Sequence, residues 1–146
     1  MRMLPVAVLI AIPTLAHAQM QIQPGQWQIQ ESVTSVEMPG APPQLIEQIK
    51  TPRTRRQCIT PAEAALGPLE IMRAKDQCKI ARQSVVDGKV DAMLVCDGAD
   101  GGSVNAVITG TVTPTKVVFN AAIEASGAQA YKMTGTQSAE RIGDCP

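Results

Sequence analysis

Residues 26–36 alternate between two kinds of side chain. Trp27, Ile29, Val33 and Ser35 share one parity, and Gln26, Gln28, Gln30, Ser32 and Thr34 the other. A period of two predicts a strand with one buried and one wet face. Further strands are expected at 53–59, 80–86, 90–96, 104–112, 116–124 and 130–140, because each run is rich in β-formers and bounded by turn residues. Asp87-Gly88-Lys89 lies between the third and fourth runs, and Asp-Gly tolerates the positive φ of a tight hairpin. Asp97 to Gly102, Thr113-Pro114-Thr115 and Ser126-Gly127 separate the later runs. The inward parity is Trp27, Ile29 and Val33; Val90, Ala92 and Leu94; Val117, Phe119, Ala121 and Ile123; and Tyr131 and Met133.

Helical spacing is scarce. Thr60-Pro61-Ala62-Glu63 combines a hydroxyl cap, a proline at the first helical position and a glutamate three residues after the cap. It starts a helix directed toward Lys75, with a break at Gly67-Pro68. After Met38-Pro39-Gly40-Ala41-Pro42-Pro43, the residues Leu45, Ile46 and Ile49 fit either a short helix or a turn-rich connection. The fold class is therefore mainly β. It is an antiparallel meander of about seven strands, curved or barrel-like, with one short helix between the second and third strands.

The first residues change the picture. Arg2, an apolar run from Leu4 to Leu15 and Ala16-His17-Ala18 have the parts of a cleaved signal peptide. The run is shorter than the roughly 20 residues of a membrane helix, and no later segment qualifies. The expected domains are thus a signal peptide at 1–18 and a single disulfide-stapled β domain at 19–146, exported to the bacterial periplasm. Cleavage removes Arg2 and His17, leaving 12 basic against 13 acidic groups and no histidine. Catalysis through Ser-His-Asp or Cys-His and His-ligated metals are excluded with it. Balanced charge and only three aromatics argue against a nucleic-acid partner.

Four cysteines, Cys58, Cys78, Cys96 and Cys145, in an exported chain read as two disulfides. The wide gaps of 20, 18 and 49 residues do not suit a zinc site. Cys58 closes one predicted strand and Cys78 opens the next, which favours Cys58 with Cys78 and Cys96 with Cys145. A cross-strand bridge between Cys78 and Cys96 is the competing choice, since a tight turn would set them opposite one another.

Pro24-Gly25-Gln26-Trp27, Met38-Pro39-Gly40, Gln57-Cys58-Ile59-Thr60-Pro61, the single Cys78 and Cys96, and the ending Arg141-Ile142-Gly143-Asp144-Cys145 together resemble the exported bacterial proteins catalogued as domain of unknown function 3617. The resemblance spans nearly all of the mature chain. It implies a Gram-negative periplasmic protein and brings no activity. Members of that family commonly carry a glutamate directly after the tryptophan, where this chain has Gln28.

Candidate chemistry is thin. No serine stands three residues before a lysine, and Asp97 with Asp100 offers too few oxygens for a hard cation. The mature methionines, Met20, Met38, Met72, Met93 and Met133, are too scattered for a soft-metal site. No enzyme, cofactor or metal is expected. Glu31 is the exception: it shares the parity of Trp27 and Ile29, so a regular strand points its carboxylate inward, where it needs a partner such as Arg53 or Arg55. A β-bulge near Glu31, or an open end of the sheet, would relieve it instead. Lys50, Arg53, Arg55 and Arg56 form the one basic cluster. It either guards an edge strand or docks an anionic headgroup or acidic protein surface.

The expected function is a non-catalytic binding module for an apolar small molecule or lipid, with Trp27, Phe119 and Tyr131 as lining, Glu31 as polar contact and Arg53 and Arg55 beside it. The alternative is an interaction or inhibitor module acting on another envelope protein.

Overall fold

The computed structural model describes residues 21–71, 78–98 and 101–146. The expected signal peptide, Asp100, Met20 and Met72 lie outside the described residues, as does the end of the helix expected toward Lys75. The strands are β1 (Gly25–Glu37), β2 (Arg53–Ile59), β3 (Cys78–Val86), β4 (Lys89–Asp97), β5 (Ser103–Val112), β6 (Lys116–Ala125) and β7 (Tyr131–Gly143). They form one antiparallel sheet in the order β2-β1-β7-β6-β5-β4-β3. Strands β3 to β7 are the expected meander. The first strand then pairs with the last, and β2 and β3 become the two edges, so the sheet stays open and barrel closure does not occur.

Local signals act where they stand in the chain. Asp87 and Gly88 have φ of 50° and 72°, both positive as a two-residue hairpin loop requires. The Thr60 hydroxyl accepts from Glu63 N–H, while the Glu63 carboxylate accepts from Thr60 N–H at 2.9 Å, closing a capping box. The helix it starts, α2, is short (Pro61–Ala65); the chain turns at Gly67, with φ of 104°, into a 3-10 turn at Pro68–Ile71. A helix, α1 (Pro43–Lys50), also forms between β1 and β2, where the spacing of Leu45, Ile46 and Ile49 left two readings open.

Sheet register sorts the side chains into rows across one face, here called the core face. One row runs Val112, Val117, Ala139, Ile29, Arg55, and the next Gly110, Phe119, Gln137, Glu31, Arg53. Beyond them lie Ile108, Ala121, Gly135, Val33, and then Ala106, Ile123, Met133, Val36. Ser35 leaves this face. The extra residue Thr34 makes a bulge between Val33 and Ser35, so Ser35 stands opposite Thr134 and Val36 takes the inward place. Hydroxyls occupy the bulge: Thr34 Oγ1 and Ser35 Oγ lie 2.8 and 2.6 Å from Thr134 Oγ1.

Because β2 and β3 are consecutive in the chain yet sit on opposite edges, their connection must travel the width of the sheet. Its described part lies over the core face, where Ala64 and Leu69 join one buried cluster with Trp27, Ile29, Ile59, Ile108, Val117 and Phe119. Trp27, Ile29, Ile59 and Phe119 are 0% exposed.

The disulfides are Cys58–Cys145 and Cys78–Cys96, and the favoured pairing of Cys58 with Cys78 and Cys96 with Cys145 is overturned. Cys58 and Cys78 lie on opposite edges and at opposite ends of the sheet, whereas Cys78 faces Cys96 in the β3–β4 register. Gln26 of β1 pairs with Cys58 on one side and Gly143 on the other, which brings the chain end within reach of Cys58. That end crosses the start of β1. A Cβ at Gly25, whose φ is 143°, would collide with the Gly143 carbonyl oxygen and the Arg141 guanidinium. Arg141 Nε donates to Pro24 O at 2.8 Å and its guanidinium pairs with Asp144, while Trp27 Nε1 donates to Gln23 O at 3.0 Å. Pro24, Gly25, Trp27, Cys58, Arg141, Asp144 and Cys145 therefore form a clasp that closes this end of the sheet.

Candidate functional site

At the other end the core face is uncovered across β1, β7 and β6, while Ile108 and Ala106 on β5 and Ala92 and Leu94 on β4, in the same rows, stay buried. Val33, Ala121, Ile123 and Met133 have the inward parity of Trp27 and Phe119, yet each is only half-buried. Together with Glu31, Gly135 and Gln137 they line a groove of about 210 Å³. Its shape follows from side-chain size. Ala121, Gly135 and Val33 make a low row between the row of Phe119, Gln137 and Glu31 and the row of Ile123, Met133 and Val36. A side chain at Gly135 would meet the Ser32 carbonyl oxygen at 2.7 Å, so close packing of β7 on β1 holds the floor low.

One wall is polar. Glu31 is about two-fifths exposed and ion-pairs with Arg55 (Oε1 to Nε, 3.2 Å), one of its two expected partners. The same oxygen accepts from Gln137 Nε2 at 3.1 Å. Arg55 also bonds the Gln57 side chain. Arg53 stands opposite Glu31 in register and is exposed. The inward-facing carboxylate is thus relieved in two ways, by an arginine and by the open end of the sheet.

The proposed lining residues separate in the fold. Trp27 and Phe119 are sealed in the core and offer no surface to a ligand. Tyr131 is half-buried opposite Ala125, where β7 begins, outside the groove lining. Glu31 lines the groove, and Arg53 and Arg55 lie beside it on the exposed edge strand β2. Sequence reasoning missed Gln137, which at 7% exposure is the one polar residue among the described buried ones. The same count of two that selected Tyr131 and Met133 reaches Gly135, Gln137 and Ala139.

Two other depressions have different character. One of about 270 Å³ lies where Gly67 and Pro68 cross Gln83 and Val85 of β3, with largely polar walls. A shallow one of about 520 Å³ lies on the opposite face around Met93, Val107 and Ala122, and its rim charges Lys132 and Glu124 already pair at 3.3 Å. Among the described residues no helix is long and apolar enough to cross a membrane. Both disulfides place the folded chain in an oxidising environment.

Comparison with known proteins gives a family match: the model described as "Protein of unknown function (DUF3617)" covers residues 22–145. No curated protein and no solved structure matches the chain.

Proposed function

The chain belongs to this family of unknown function, and from that premise we propose that it is a non-catalytic, periplasmic binding module whose groove takes an apolar small molecule or part of a lipid. The observation that carries this reading is the uneven burial of one face: a sealed core around Trp27 and Phe119 that continues along β4 and β5, and half-exposed Val33, Ala121, Ile123 and Met133 at the other end of β1, β6 and β7. Apolar surface of that kind gains about 25 cal/mol per Å² when a ligand excludes water from it. The groove is smaller than the roughly 300–1,000 Å³ of a cleft that encloses a whole drug-sized ligand, so it suits a single alkyl chain or a ring edge. Native mass spectrometry of protein recovered from the periplasm, with its N-terminus at Gln19, should show a co-purifying apolar molecule, and added alkyl amphiphiles should bind in its place. Repeated recovery of a bare polypeptide mass that no added amphiphile shifts would refute the reading.

A second reading rests on a different surface. Strand β2 is an edge whose Arg53, Arg55 and Arg56 are exposed, which suits an acidic segment of another envelope protein. A crosslinked partner lost on replacing those three arginines would favour it.

A further inference from the structure

A purely structural core would place a leucine or methionine where Gln137 sits. An amide there is costly unless both of its ends are engaged. One end is. Gln137 Nε2 donates to Glu31 Oε1, the same carboxylate oxygen that Arg55 Nε contacts, and a carboxylate oxygen only accepts. That fixes the orientation of the amide, since the reversed flip would set its oxygen against carboxylate oxygen. Gln137 Oε1 is then a buried acceptor with no partner among the described residues, and its lost hydration goes uncompensated. Gln26 Oε1 has the same status, but Gln26 lies on the other face at the clasped end.

We infer that Gln137 Oε1 accepts a hydrogen bond from the head of the ligand, so that the groove selects amphiphiles with a donor head, a hydroxyl or an ammonium, over acceptor-only and carboxylate heads. This deepens the proposed binding function and rests on it. Gln137 lines the groove beside its low row, so an alkyl body lying along Ala121, Gly135 and Val33 brings its head to the wall formed by Gln137 and Glu31. The carbonyl oxygen is out of reach of solvent as it stands, and engagement turns the amide about its side-chain torsions toward the groove. A carboxylate head brings no donor to this wall and meets the like charge of Glu31 there. A ligand hydroxyl satisfies Gln137 Oε1, and an ammonium does so while also facing the Glu31 carboxylate.

The test compares octanol with its isomer dibutyl ether, which has the same eight carbons but only an acceptor, and with octanoate and octylamine. Each displaces N-phenylnaphthylamine from the full mature protein at neutral pH, and native mass spectrometry counts the bound ligand. Octanol should bind about tenfold more tightly than dibutyl ether, the expected size of one added hydrogen bond to a buried acceptor, and octanoate should bind no better than the ether. Octylamine should bind at least as tightly as octanol, and octylamine binding no better than the ether would overturn the inference. Gln137→Leu should bring octanol and the ether within about twofold of each other while keeping the melting temperature at or above that of the parent, because it removes the unpaired acceptor. Ala121→Leu, which raises the low row, should weaken all four. Equal binding of octanol and the ether, stronger binding of octanoate, or a preference that survives Gln137→Leu would overturn the inference and leave the groove reading intact. Failure of the dye and of every amphiphile to bind would remove both.

Discussion

On β1, β6 and β7 the two ends of the core face have the same parity and opposite fates. At the clasped end Trp27, Ile29 and Phe119 are fully buried under the connection that carries Ala64 and Leu69. Farther along β1, β6 and β7, Val33, Ala121, Ile123 and Met133 remain half-exposed, although Ala106 and Leu94 in the row of Ile123 are buried. Strand composition does not explain the contrast, since both ends present aliphatic side chains inward. What differs is the segment crossing above them and the size of the residues in each row. Burial on one face of an open sheet is therefore decided by the path of the chain between its edges.

Each end carries one disulfide, and removing them in turn tests the contrast most severely. Cys58–Cys145 ties residues 87 apart, Cys78–Cys96 only 18. In the chain-entropy model these contribute about 4.5 and about 3 kcal/mol. Replacing Cys58 and Cys145 with alanine should therefore lower unfolding free energy in urea by more than replacing Cys78 and Cys96. Equal losses would show that the clasp is no more than a crosslink among others. Within the core, Trp27→Ala should cost about 3–5 kcal/mol, against less than about 1.5 kcal/mol for Met133→Ala at the open end, where a smaller side chain leaves no sealed cavity. Similar costs at the two positions would mean that the open end is packed as tightly as the clasped one. The smallest effect is expected at Glu31→Gln: the Glu31–Arg55 pair is about two-fifths exposed on both sides, and such pairs are worth about 0–1 kcal/mol. A melting temperature unchanged within a degree or two is the expected result, and a large drop would make Glu31 a structural keystone.

The parity of the strands was legible because each depends on neighbours two residues away. The Asp87-Gly88 hairpin and the Thr60 to Glu63 capping box were legible for the same reason: their chemistry is complete within four residues. Glu31 stood out as a carboxylate on an apolar parity, and Arg55 was among its named partners. The bulge that turns Ser35 outward was not visible at its position, since it is a mismatch between β1 and β7, strands about 100 residues apart. Gln137 was in plain sight on the inward parity of its strand. Its burial depended on β1 and β6 flanking it, and only then did one end of its amide find Glu31.

By itself, then, the sequence determined the elements: where strands run, which face of each is apolar, where the chain turns and caps, and that four widely spaced thiols become two crosslinks. The tertiary structure decided the strand order, with β1 beside β7 and β2 and β3 as edges, and from that order came the pairing of the thiols, the clasp at one end and the groove at the other. The physical reason is range. Backbone conformation and amphipathic period are fixed by residues adjacent in the chain, whereas crosslink partners and uncovered surface depend on which distant segments meet, and no local pattern encodes that.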